Sequence, residues 1–271
     1  MSAAGEAVLE ARAVTERHAT TFAFACRLLP AEIRDDVYLL YQVFRTVDDL
    51  VDEHAPDARE RLRALAAWAS GDPGAVSPET EVLDALAARH PLPRDAVTDF
   101  CAGMERDLGG ARFATERELD RYCYEVAGTV GVVMTAVLGS REPDSARASA
   151  AALGMAMQRT NILRDIDEDA AAGRVYISDE ARRRHGGSLE PGARSELVRE
   201  QIARADELYE DGLLGLSTLR QGRAAIAIAA RLYREILREI ERGGFGRLPG
   251  RAVVSRRRRV RTAMITAVSG R

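Results

Sequence analysis

The chain has 271 residues, 39 lysines and arginines against 42 aspartates and glutamates, a formal net charge of -3 and 46% hydrophobic residues. This length suits one large domain with a substantial core, spanning residues 1–271, and the near-balanced charge argues against a general nucleic-acid binder. Cys26, Cys101 and Cys123 are odd in number, widely spaced and mostly set among apolar residues, so they read as core residues of a reducing compartment rather than a disulfide framework or thiolate metal site.

The first residues, MSAAGEAVLEARAVTER, carry charges where a signal peptide needs an apolar run, and no apolar stretch approaches about 18 residues. A soluble, cytoplasmic protein is expected. Helical periodicity runs from end to end without two-residue alternation, which predicts an all-α chain. The spacing predicts helices over 6–27, 31–53, 58–69, 78–89, 94–108, 116–138, 144–172, 193–216, 224–243 and 253–268, punctuated by prolines and glycines such as Pro30, Pro91, Gly110, Pro143 and Gly173.

The first helix holds His18, Thr21, Phe22, Phe24 and Cys26. His18 is either an anion ligand or an ordinary surface histidine; Phe22 and Cys26, one turn apart, are either core or the apolar wall of a cavity. In the second helix Tyr38, Tyr41, Arg45, Asp48 and Asp52 step by three and four, with Asp49 and Glu53 adjacent, so they share one stripe. Farther on, Thr115 is placed to cap the helix at 116–138, with Glu118 at the reciprocal position. Gly128 and Gly131 sit inside that helix at about 1 kcal/mol each relative to alanine, so either another helix or a ligand approaches the backbone closely, or the helix bends.

The most informative stretch is LGMAMQRTNILRDIDEDAAAGRVYI, from Leu153 to Ile177. Gln158, Asn161, Asp165, Glu168 and Asp169 fall in one polar stripe, while Leu153, Met155, Ile162, Leu163 and Ile166 take the other sides. Crowded carboxylates repel unless cations sit among them, and hard divalent cations choose such oxygens. Each acidic stripe has an arginine, Arg45 or Arg164, and the combination describes a site for a diphosphate held from two sides. Gly173 lets the chain reverse, which either returns Arg174 and Tyr176 toward the acidic stripe or leaves them as loop residues. Tyr233 and Arg251 are not marked by their own context. The Arg256 to Arg259 run is either a solvated helix end or a patch for an anionic membrane surface.

With these residues in view the chain resembles the squalene/phytoene synthase family, the head-to-head isoprenyl diphosphate synthases. HATTFAFACRLLP, YLLYQVFRTVDDLVDE, RFATERELDRYCYEVAGTVG, QRTNILRDIDEDAAAGRVYI and LYREILREIE match family segments in order, and NILRDIDEDAAAGRVYI with EVAGTVG is most like bacterial phytoene synthases. The resemblance implies a single-domain isoprenoid synthase fold with a central cavity between antiparallel helices. It also implies a magnesium cluster, with manganese as substitute, held by Asp48, Asp52, Asn161, Asp165 and Asp169 and supported by Asp49 and Glu168. Arg45, Gln158, Arg164, Arg174, Tyr176, Arg251 and His18 would contact diphosphates. Tyr41, Tyr233 and Tyr122 would border the reacting carbons, and Thr21, Phe22, Cys26, Val133 and Val137 would line the substrate.

The implied activity is a prenyltransferase of carotenoid biosynthesis, joining two geranylgeranyl diphosphates through a cyclopropylcarbinyl diphosphate to phytoene. NADPH is not expected, although the missing Gly-rich dinucleotide fingerprint decides nothing on that point. Ala19 in place of a frequent serine, no cysteine before Arg45 and no proline in LSTLRQGR depart from the common pattern. They keep open a squalene or dehydrosqualene synthase using farnesyl diphosphate, a prenyltransferase or cyclase with another acceptor, and a non-catalytic helical subunit.

Overall fold

A computed structural model of the chain describes residues 3–18, 20–72, 74 and 76–269, with the side chains of all of these except 3, 4, 18, 20 and 267–269. The described residues are helical with no strand; Ser140 and Leu219 form an isolated antiparallel bridge. The segment at 6–27 is described as α1 (Ala3–His18) and α2 (Thr20–Cys26), on either side of residue 19. Then follow α3 (Ala31–Asp52), α4 (Ala58–Ser70), α5 (Pro78–Ala87) and α6 (Arg94–Leu108). Pro30, Pro78 and Pro93 each stand at a helix start, where the missing N–H removes no helical bond. Ser77 and Thr80 form a reciprocal cap on α5.

The segment at 116–138 is continuous but contains a wider turn. It runs through α7 (Glu116–Cys123), a π-helical turn (Tyr124–Gly128) and α8 (Thr129–Leu138). Thr115 Oγ1 accepts from the Glu118 N–H at 3.2 Å, as a cap should. Glu118, however, returns its carboxylate to the N–H of Ala114, one residue earlier than a capping box requires.

The helix expected over 144–172 divides into α9 (Pro143–Arg164) and α10 (Ile166–Ala171), because Asp165 leaves helical geometry at φ -101° and ψ 11°. Four carboxylates within 165–169 would crowd one continuous helix. The kink lets Asp165 meet Arg164 and Arg251, while Asp167 meets Arg194. A short helix that the periodicity does not show, α11 (Asp179–Arg184), is capped by Ser178, whose Oγ accepts from Ala181. The chain ends in α12 (Ser195–Leu214), a 3-10 turn (Gly215–Thr218), α13 (Arg223–Arg242) and α14 (Arg256–Ser269).

At the centre lies α9, packed against α7, the π turn, α8, α12 and α13. It runs antiparallel to α8, at a separation only glycine permits. A Cβ on Gly154 would lie 2.2 Å from the Ala127 carbonyl oxygen, and one on Gly131 would lie 2.4 Å from that of Ala150. Close helix packing therefore explains Gly131, which also borders the cavity. One apolar cluster joins α2 to α6 with α8, another joins α7, α9, α12 and α13, and a cavity of about 860 Å³ is lined from both.

Candidate active site

The first acidic wall is α3. Nine of its residues, from Ile33 to Val51, are buried, and the stripe that escapes burial bears the polar groups. Arg45 donates to Asp48 at 3.0 Å and to Asp49 at 3.1 Å, and Tyr41, Arg45 and Asp48 line the cavity. Tyr41 packs against Phe22 at 5.2 Å between ring centroids, making an aromatic step from polar to apolar lining. Tyr38, expected on the same stripe, is buried, with Cys26, Arg12 and Glu16 as neighbours; it lies nearly three turns before the acidic cluster.

The second wall is the end of α9 with α10. Tyr233 of α13 donates to Asn161 at 2.7 Å, Asn161 donates to Gln158 at 3.2 Å, and Arg164 reaches the Tyr233 hydroxyl at 3.4 Å. Gln158, Asn161, Arg164 and Tyr233 line the cavity. Asp165 is chelated by Arg164 at 2.8 and 2.5 Å and also meets Arg251 at 3.1 Å. Gly173, at φ +75°, reverses the chain and brings Arg174 to Asp169 at 3.3 Å and Tyr176 to Asp107 at 3.4 Å. Arg174, 44% exposed in the loop, thus pairs with Asp169 of the stripe, whereas Tyr176 meets Asp107, which lies outside it. Glu168 is the most exposed of the stripe, 3.6 Å from Arg251.

Arg251 belongs to a strap between α13 and α14 that Asp167 and the buried Arg194 hold down. Arg194 chelates Asp167 at 2.5 and 2.8 Å and donates to the Gly246 carbonyl at 3.0 Å, while Asp167 also accepts from the Gly250 N–H at 2.8 Å. The charge-assisted pair also holds the Asp167 carboxyl below its ordinary range.

Electrostatics brings the two walls together. Asp48 is pushed up to about 7, first by desolvation in the cavity and then by the charge of Asp52. Asp169 on the opposite wall is pushed up by desolvation, then by Asp165 and last by Asp52, and Asp107 on α6 is pushed up to about 6 by desolvation and then by Asp52. Among the described residues no three His, Cys, Asp or Glu side chains already converge as a metal cage. The donor set nevertheless fits a hard divalent cation: facing carboxylates whose charges raise one another, with an amide oxygen at Asn161.

The apolar part of the cavity corrects three expectations. Val133 and Val137 are buried in the core; the wall on this helix is Val126, Val130, Met134 and Leu138, spaced by four. Ala127, Gly131 and Thr135 complete that wall, and Val133 and Val137 belong to neither row. Cys26, 1% exposed, lies in the core cluster against which Phe22 packs, so it supplies no depth to the cavity, whereas Thr21 and Phe22 do line it. The side chain of His18 lies outside the described residues. Tyr122 lines the cavity while its hydroxyl donates to Asp107 at 2.9 Å. Arg17, Arg259 and Asp107 are polar residues of the site that the motifs did not mark; all three lie outside the two acidic stripes.

A profile described as squalene/phytoene synthase matches residues 15–258. The phytoene synthase of Thermus thermophilus is 38% identical over 259 residues, covering 88% of this chain and 85% of that protein. The 15-cis-phytoene synthase of a Paracoccus species is 35% identical, covering 83% and 79%. Among solved structures, a dehydrosqualene synthase in complex with ligand superposes with a TM-score of 0.89 at 26% identity, covering 98% of this chain and 97% of that one. The squalene synthase HpnC from Alicyclobacillus acidocaldarius gives 0.77 at 25% identity, covering 90% and 96%. Together with the paired acidic walls over an apolar cavity, these matches show that the chain belongs to the squalene/phytoene synthase family.

Proposed function

We propose that the protein is a phytoene synthase, a prenyltransferase that condenses two geranylgeranyl diphosphates head to head and releases two diphosphates. The observation that carries this reading is that Arg45 and Asp48 of the first wall and Gln158, Asn161 and Arg164 of the second line one largely apolar cavity of about 860 Å³, near the upper end of ordinary small-molecule sites. Relatives named phytoene synthase, 32–38% identical, support the longer substrate. The structural neighbours named dehydrosqualene and squalene synthase support a second reading, condensation of farnesyl diphosphate.

In this reading Asp48, Asp52, Asn161, Asp165 and Asp169 hold magnesium, or manganese in its place, with Asp49 and Glu168 in support. The metal supplies positive charge to a departing diphosphate. Arg45, Arg164, Arg174 and Arg251 supply guanidinium donors to the same anion, and Gln158 and Tyr176 add polar contacts. Arg164 and Arg251 now occupy Asp165, so on binding they exchange a carboxylate for a phosphate partner. Tyr41, Tyr122 and Tyr233 present ring faces to the allylic cation, and Phe22, Val126, Val130 and Met134 keep water from it. No reductant takes part.

A cytoplasmic enzyme resting on a membrane completes the proposal. No helix among the described residues is long and apolar enough to cross a membrane. On α14, Val260, Met264 and Ile265 are exposed beside Arg256, Arg257 and Arg261, and the strap adds exposed Leu248 and Val253. Val253, Val254 and Arg259 also line the cavity, so this arginine-rich apolar face adjoins the path of an oily product. Incubation with magnesium and prenyl diphosphates of three lengths, with and without NADPH, tests the reading. A C40 hydrocarbon without reductant is the expected product; turnover of farnesyl diphosphate alone moves the protein to the second reading.

A further inference from the structure

Asp107, in the last turn of α6, belongs to neither acidic stripe and does not line the cavity. Both its oxygens accept from the Tyr122 hydroxyl, at 3.1 and 2.9 Å, and one accepts from Tyr176 at 3.4 Å. The two phenol rings stack at 5.6 Å with 19° between planes, and Phe113 closes the stack 4.9 Å from Tyr122. Tyr122 is 2% exposed, yet it lines the cavity. The aromatic stack thus has one member at the cavity wall, with its hydroxyl end fastened to a carboxylate.

A phenol O–H held by a carboxylate has its proton drawn toward the acceptor. The oxygen and the ring become richer in electrons, and a cation over the ring face is attracted more strongly. In a site shielded from water the effect is larger than in solution. We infer that Asp107 is a positioning residue that orients Tyr122 and enriches its ring, so that this part of the wall stabilises the allylic cation during ionisation. Asp107 acts through Tyr122 and does not touch the substrate. The inference rests on the prenyl-diphosphate reading proposed above.

The test compares the full-length wild type with Asp107→Asn, Tyr122→Phe and the double variant. Tyr122→Phe keeps the ring and its packing, and so serves if Asp107→Asn fails to fold. In the ligand-free protein, Asp107→Asn shifts the near-ultraviolet tyrosine band to the blue, and the shift disappears in the Tyr122→Phe background. With prenyl diphosphate and magnesium, either single change lowers kcat by about tenfold, leaves KM for substrate and the magnesium requirement within about twofold, and the double variant is no slower than the singles.

Independent, multiplying losses would overturn the inference, as would an unchanged kcat in Asp107→Asn. A rise of about tenfold in the magnesium requirement would make Asp107 a metal ligand instead. If the wild type turns over no prenyl diphosphate, the functional reading fails. The spectral comparison then decides the Asp107–Tyr122 interaction by itself.

Discussion

Replacing Gly154 by alanine probes the contact that sets the position of the second acidic wall. The new Cβ would lie 2.2 Å from the Ala127 carbonyl oxygen, 2.7 Å from its carbon and 2.8 Å from the Gly128 Cα. All three are backbone atoms, so no side chain can rotate aside, and α9 must move off the π turn by about 1 Å. Overpacking of this kind costs about 1–3 kcal/mol, and the greater helix preference of alanine offsets about 1 kcal/mol. Taking the upper end because the obstruction is backbone, the net loss is about 2 kcal/mol, or a fall in Tm of about 4–8 °C. Asn161 lies farther along the same helix and Asp165 stands just past its end, so a displacement of about 1 Å also lowers turnover by about 100-fold. The assay is a thermal melt by circular dichroism beside product formation from prenyl diphosphate. Gly187→Ala is the control: at φ +80° with nothing within 4 Å, it loses about 1–2 kcal/mol through backbone strain and keeps its turnover. A Gly154→Ala protein that melts with the wild type, or that melts early yet turns over normally, would refute the reasoning.

Asp48→Asn and Asp165→Asn each lower turnover by about 100-fold or more while the fold is retained, and added magnesium restores neither; normal product yield from either variant counts against the acidic walls. In metal-free protein, Asp48 titrates near 7, above its unfolded value near 4, so the folded state holds a proton that the unfolded chain has lost. Stability therefore falls as pH rises through that window. The unscreened shift would amount to about 4 kcal/mol; with the side chain 42% exposed we expect about 1–2 kcal/mol, and Asp48→Asn flattens the dependence of urea midpoints on pH. Arg194→Met leaves Asp167 without its chelating partner and frees the strap, with a loss of about 3 kcal/mol and a raised KM; a change in neither removes the strap from substrate binding. Met134→Phe narrows the apolar end of the cavity and shifts preference from the C20 to the C15 diphosphate, measured as the ratio of kcat/KM for the two.

The acidic stripes were readable because chemistry and helix phase coincide in them. Tyr41, Arg45 and Asp48 repeat at turns of one helix, as do Gln158 and Asn161, and such spacing alone places them on one face. Gly131 was legible as a close approach, but not which backbone approached. Val133, Val137 and Cys26 failed for a related reason: on a helix buried on most sides, apolar residues look alike whether they face a cavity or the core. The short helix α11 depends on the Ser178 cap, and Asp107 carries no motif at all, since its partners are 15 and 69 residues away.

The sequence by itself determined the helical class, the two families of carboxylates and the arginines beside them, because these follow from period and residue type within a turn or two. Only the tertiary structure decided that Asp48 and Asn161 line one cavity, that Asp165 breaks its helix to meet Arg251, and which valines border the cavity. Those are relations between helices, set by glycine contacts and charges that lie far apart along the chain.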